Sequence, residues 1–183
     1  MKLILIGIQG AGKSTQGNLL KEKLHIPYLS TGHIFRELAK EHTPMGRYIK
    51  EVINAGYLIP DDKTLQIVSE YLHREEYLNG YIMDGFPRTL QQAEKFKNGI
   101  TAVIYLKVSD KEALWRLSMR TGEGEEREDD TLKAVAKRIE LFHTITEPVL
   151  AYYQKQQKLV EVDGEQPIED IQREILKKLS IHS

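Results

Sequence analysis

The apolar positions of this chain fall into blocks of two kinds. Leu3–Ile6, Tyr81–Asp84 and Thr101–Val108 are short, near-continuous apolar runs, the pattern of strands covered on both faces. A fourth strand is read at Lys158–Gly164. Between these runs the polar and apolar residues mix, which predicts helices over Lys13–His25, Thr31–Glu41, Gly46–Asn54, Asp61–Arg74, Thr89–Lys97 and Ile168–Leu179. Asp61 and Asp62, after Pro60, are read as helix caps. Asp110 is expected to cap a helix running through Trp115 to Met119. Asp130 or Thr131 should start the next helix, with Pro148 interrupting it. Strands separated again and again by helices imply an α/β fold, a parallel sheet with helices on both faces.

Two stretches stand apart from this rhythm. Residues 30–60 carry helices with little strand signal, consistent with a helical insertion. Residues 121–130, "TGEGEEREDD", are acidic and almost without apolar content, which composition leaves open as an exposed loop or an active-site lid.

Composition narrows the classes of function. The 183 residues suit one domain, and 26 Lys and Arg against 27 Asp and Glu give a formal charge of −1. Nothing in that balance calls for nucleic acid or an anionic membrane, so an anion site has to come from local clustering. The chain has no cysteine, which removes disulfides, cysteine–zinc sites and a thiol nucleophile. The apolar run Leu3–Ile8 is too short for a signal-peptide core or a membrane span. The expectation is a cytoplasmic monomer, with no nucleic acid or membrane as partner.

The first chemistry lies in "GIQGAGKSTQ", which fits the Walker A pattern Gly7-x-x-x-x-Gly12-Lys13-Ser14 after a buried strand and at the start of a helix. Glycines let successive backbone N–H groups turn inward, and the helix N-terminus adds partial positive charge. Lys13 would reach the β- and γ-phosphates, and the Ser14 hydroxyl could hold Mg²⁺. "YIMD" looks like a Walker B strand, with Asp84 at the edge where ligands bind in open α/β sheets. Its carboxylate could hold the metal through water.

A second anion site is read in "DGFPRTLQQA". The proline before Arg88 fixes the backbone, so the guanidinium is aimed at a phosphate. Gln92, one helical turn on, offers a donor and an acceptor side by side, matching the edge of adenine. A GTPase-type switch is disfavoured, because no Asn-Lys-x-Asp element is present.

With these motifs in this order, the chain resembles the adenylate kinases. "GIQGAGKSTQ", "STGHIFR", "DGFPRTLQQA", the "REDD…KR" run and "TEPV" carry the likeness over essentially the whole chain. The resemblance implies a three-layer P-loop fold with a five-stranded parallel sheet, an acceptor-binding insertion at 30–60 and a short lid at 121–130. It implies the reversible reaction MgATP + AMP = 2 ADP, serving nucleotide homeostasis, with ATP, AMP and ADP as partners and no structural zinc. Gly10, Ala11, Gly12, Lys13, Ser14 and Thr15 would wrap the ATP phosphates, with Gln166 and Arg120 also meeting ATP. Thr31, Arg36, Tyr57, Leu58, Ile59, Gly85, Phe86, Pro87, Arg88 and Gln92 would form the AMP site. Arg127 and Arg138 would bridge the phosphates, making Lys13, Arg88, Arg120, Arg127 and Arg138 the transfer set. Taken singly each arginine reads as surface charge; together, at these spacings, they offset two nucleotides' charge.

Two positions depart from the family pattern. Ser14 stands where glycine usually follows the lysine, and His33 stands in "STGH" where the family reads aspartate. The second loses a carboxylate near the metal and predicts weaker Mg²⁺ coordination. Alternatives are a kinase preferring UMP, CMP or GMP, and a catalytically weak nucleotide-binding regulator.

Overall fold

The structure, a computed structural model, describes residues 1–120 and 131–180. Five parallel strands, β1 (Lys2–Ile6), β2 (Tyr28–Ser30), β3 (Tyr81–Asp84), β4 (Ala102–Lys107) and β5 (Leu159–Asp163), form one sheet in the order β2-β3-β1-β4-β5. Its register pairs Leu5 with Asp84 on one side and with Ile104 on the other. The sheet is buried because its central strands carry little but apolar side chains; Leu3, Ile4, Ile82, Met83, Val103 and Ile104 are fully or almost fully covered.

Helices fill both faces. In chain order they are α1 (Lys13–Leu24), α2 (Thr31–Ala39), α3 (Pro44–Asn54), α4 (Asp61–Leu72), α5 (Glu75–Leu78), α6 (Leu90–Lys95), α7 (Asp110–Arg120), α8 (Leu132–Leu141), α9 (Glu147–Lys155) and α10 (Ile168–Lys178). Local chemistry sets several starts. Ser30, Thr43, Thr89 and Thr131 each accept a hydrogen bond from the N–H three residues on, capping α2, α3, α6 and α8. Of the two starts read for α8, Thr131 is the cap.

Several sequence expectations change. Strand β2 was not legible: its three residues are too few for a periodic signal, and it exists because Tyr28, Leu29 and Ser30 pair with Ile82, Met83 and Asp84. Helix α5 is likewise too short to be read. Asp110 does not cap α7; the Ser109 hydroxyl accepts from the Glu112 N–H at 3.3 Å, and Asp110 occupies the first turn. No side-chain hydrogen bond caps α4, where Asp61 and Asp62 lie in the first turn. Pro148 does not end the helix that Thr131 begins. A π-helical turn at Phe142–Thr146 joins α8 to α9, and Pro148 sits in the first turn of α9. Proline lacks the N–H for the i−4 bond and its ring crowds that carbonyl, and the widened turn accommodates both.

β1 lies between β3 and β4, although the chain visits β2 and β3 before β4. The strand order reverses direction there, and the carboxyl ends of β1 and β3 open onto one crevice. The carboxyl ends of β1, β2 and β3 thus bring Gly7, Ser30 and Asp84 together.

Candidate active site

One continuous cleft runs along that edge of the sheet. Its near wall is the segment from Gly7 to Ser14. Gly10 has φ +89°, a conformation that L side chains rarely adopt, and a Cβ there would come 2.6 Å from the Ala113 carbonyl oxygen. The loop can therefore lie against α7 only with glycine at this position. Gly12, also left-handed, begins α1, and no side chain caps its first N–H groups. Those donors are left to point into the cleft. The Lys13 ammonium donates to the carbonyls of Gly7 and Ile8 at 2.9 and 2.8 Å, so it lies folded over the loop. Ser14 lines the cleft; Ala11 is buried beneath it and Thr15 faces away, exposed.

Asp84 ends β3 on the floor, 8 % exposed. Its two carboxylate oxygens differ. Tyr28 Oη donates to Oδ2 at 2.9 Å, whereas Oδ1 is buried with no hydrogen-bond partner among the described residues. Thr31, itself buried, donates to the Asp84 carbonyl at 3.1 Å. A buried carboxylate oxygen without a donor is costly unless a further ligand or water meets it. With the Ser14 hydroxyl in the same cleft, the donor set is hard oxygen, suited to Mg²⁺ held largely through water. His33 is exposed on the first turn of α2 and does not line the cleft.

The far wall is assembled from separated elements. The Phe86–Pro87 peptide is cis, and Arg88 follows it with both backbone polar groups engaged. Its N–H donates to Gln92 Oε1 at 2.7 Å, and its carbonyl accepts from Thr146 Oγ1 at 2.9 Å. Its Nε donates to the Gly85 carbonyl at 2.8 Å, fixing the plane of the guanidinium. Gln92 is 2 % exposed, and its Nε2 donates to Asp61 Oδ1 at 2.8 Å. An amide has two N–H donors and two acceptor lone pairs, so one of each remains after these bonds. Asp61 Oδ2 also accepts from Thr89 Oγ1 at 2.8 Å. The carboxylate read as a helix cap therefore organises the Thr89–Gln92 turn instead.

Arg36, Tyr57, Leu58, Ile59, Gly85, Phe86 and Pro87 line the same cleft. Arg138, from α8, spans it. One terminal nitrogen donates to Gln9 Oε1 at 3.2 Å and the other to the Ile53 carbonyl at 2.9 Å. Gln166 stands outside the lining, with its amide donating to the Asp163 carbonyl and to Glu174. The side chain of Arg120, with Arg127 and all of 121–130, lies outside the described residues.

Sequence reasoning missed Gln9, Tyr28, Asp61 and Thr146. Each works through a partner distant in sequence, and the motifs that contain Gln9 and Thr146, "GIQGAGKSTQ" and "TEPV", assign neither a role. Gln9, inside the Walker A segment, had the nearest thing to a signal.

Comparisons with known proteins give one family throughout. The family model described as adenylate kinase matches residues 5–158. A protein of Cyanothece named adenylate kinase is 39 % identical, over 95 % of this chain and 92 % of its own length. One of Nitrobacter hamburgensis, of the same name, is 41 % identical, over 98 % of this chain and 92 % of its own. A third, from Caldicellulosiruptor bescii, is 36 % identical over 99 % of this chain and all of its own. That alignment runs over 214 positions against 183 in this chain, so the relative carries residues this chain lacks.

Proposed function

The chain belongs to the adenylate kinase family, and on that premise we propose how its cleft carries out the family's reaction. The enzyme moves the γ-phosphoryl group of ATP reversibly to AMP, giving two ADP. The Gly7–Ser14 segment takes the donor phosphates on backbone N–H groups, with Lys13 swinging from the Gly7 and Ile8 carbonyls onto the transferred group. Arg36 and Arg88 hold the acceptor phosphate. Gln92 reads adenine with the donor and acceptor its internal bonds leave over.

The observation that carries this reading is Arg138. A single guanidinium touches Gln9 of the donor loop and Ile53 of the acceptor side. That is the position from which a cation meets both phosphate chains as charge spreads over the equatorial oxygens in flight. Arg120, at the end of α7, and Arg127, within 121–130, complete the set, that segment being read as a short lid that excludes water.

Mg²⁺ would sit with Ser14 and, through water, the unpartnered Oδ1 of Asp84, supplying charge neutralisation between the β- and γ-phosphates. Tyr28 holds the carboxylate in place for that role. His33, exposed beside Gly32 of the cleft lining, supplies no carboxylate, so H33D should lower the Mg²⁺ concentration at half-maximal rate; an unchanged midpoint removes this account of the departure.

The protein acts as a cytoplasmic monomer in this reading; among the described residues no helix is long and apolar enough to cross a membrane. Its test is incubation with MgATP and, separately, AMP, CMP, UMP and GMP, with the diphosphates quantified. ADP formed from both ATP and AMP, with little product from the others, supports it. A different preferred acceptor overturns the role of Gln92 and leaves the transfer machinery standing.

A further inference from the structure

Helix α3 ends in a Schellman turn. The Gly56 N–H donates to the Ile53 carbonyl and the Tyr57 N–H to the Val52 carbonyl, both at 3.0 Å, with Gly56 left-handed at φ +79°. This turn delivers Tyr57 to the acceptor end of the cleft with its side chain largely in the open; the residue is 55 % exposed. An exposed tyrosine at a turn has little of its own to fix its ring.

Helix α8 supplies what the turn lacks. Ala134, Lys137 and Arg138 are spaced to share one face of a helix, and all three meet this turn. A Cβ on Gly56 would come 2.5 Å from the Ala134 carbonyl oxygen, so backbone lies directly on backbone. Arg138 donates to the Ile53 carbonyl at 2.9 Å. The Lys137 ammonium stands 5.2 Å from the centroid of the Tyr57 ring, within the reach of a cation–π contact. Glu140 accepts from the same ammonium at 2.8 Å, and that bond raises the lysine pKa further above its ordinary value.

We infer that Lys137 is a positioning residue for acceptor binding: it holds the Tyr57 ring as a wall of the acceptor pocket, alongside the helix face that carries Arg138. The inference rests on the acceptor-site reading above and deepens it, because it names the contact that shapes the pocket for a planar base. Seating the base and placing Arg138 then depend on the same stretch of α8. A wall that the base meets equally in ground state and transition state acts on KM and leaves kcat alone.

The experiment is steady-state kinetics of the full chain, varying AMP at saturating MgATP and then the reverse. K137M should raise the KM for AMP about three-fold, the size of one partly exposed cation–π contact. The KM for ATP, kcat and the thermal midpoint should hold. K137R, which keeps a cation over the ring, should restore the KM, and E140Q should leave it unchanged. In a Y57L background K137M should add nothing. A K137M enzyme with wild-type KM for AMP overturns the inference. So does one whose two KM values rise together, or one whose effect persists in full on Y57L. If the wild-type chain forms no ADP from AMP, the acceptor-site reading has failed and the inference falls with it. Wild-type transfer with unresponsive variants overturns the inference alone.

Discussion

The two ends of the cleft are held by different kinds of bond. At the phosphate-loop end, one contiguous segment does the work with its backbone: N–H groups at the start of α1, a left-handed glycine lying against α7, and a lysine folded over the loop's own carbonyls. At the Gln92 end the short run Arg88–Gln92 is held by residues far off in the chain. Asp61, Thr89, Gln92, Arg88 and Thr146 form a relay of side-chain bonds across α4, α6 and the π turn. Backbone donors tolerate most side-chain changes and fail when the path of the chain is blocked. A relay fails at any member, and each loss spreads to its neighbours. A tight, general phosphate grip needs the first construction. Discrimination between bases needs the second, because a buried amide left without its partner is costly.

The largest expected effect comes from the side chain that spans the two ends. R138M should lower kcat on the order of 10³-fold or more, the loss typical of an arginine acting in phosphoryl transfer. A loss confined to KM would show that it binds without stabilising transfer. Next is G10A, which strikes the backbone end alone. With φ +89° and the Ala113 carbonyl 2.6 Å from the new Cβ, it should cost about 1–3 kcal/mol in a urea titration and raise the KM for ATP. AMP binding measured by calorimetry should survive; equal damage to both nucleotides would erase the contrast.

The relay should respond in the opposite sense. D61A removes the acceptor for Thr89 and Gln92 together and should raise the KM for AMP about 10-fold, with the KM for ATP unmoved. The smallest effect should come from His143, on the outer side of the π turn. Its ring nitrogens hydrogen-bond to the carboxylates of Glu147 and then Asp110, which raises its pKa above the ordinary 6.5. The sign follows: stability from these contacts is full below 6.5 and is lost as pH rises through the raised value. With the side chain 43 % exposed, solvent screening keeps the loss under about 1 kcal/mol. H143Q should flatten the fall of the melting temperature across that window while leaving both KM values alone.

The same division explains what could be read from the chain. The phosphate loop was legible because its glycines, lysine and serine are neighbours in sequence and each is required by local geometry. So were β1, β3 and β4, whose apolar runs announce burial on both faces. Strand β2 was not, since three residues paired to β3 carry no period of their own. Asp61 read as a helix cap because its local setting, after proline and before a helix, fits one; its partners lie about 30 residues on. Gln92 was found from its spacing to Arg88, but not the bonds that already hold its amide. The π turn was read as a proline break, since sequence shows the missing N–H and not the helix that closes around it.

That turn also bears on how the gene can change length. Between Leu132 and Lys155 the chain is helical throughout, with the wide turn at Phe142–Thr146 setting the angle between what comes before and after. Arg138 before it and Thr146 at its end both reach the cleft. Removing one residue would tighten the turn to an ordinary α-helix and rotate the downstream half by about 100°. Arg138 and Thr146 could then no longer face the same way. Lineages descending from this sequence can therefore exchange side chains along that helix, but deletions of a single codon there should be purged, although most of its outer surface is in water.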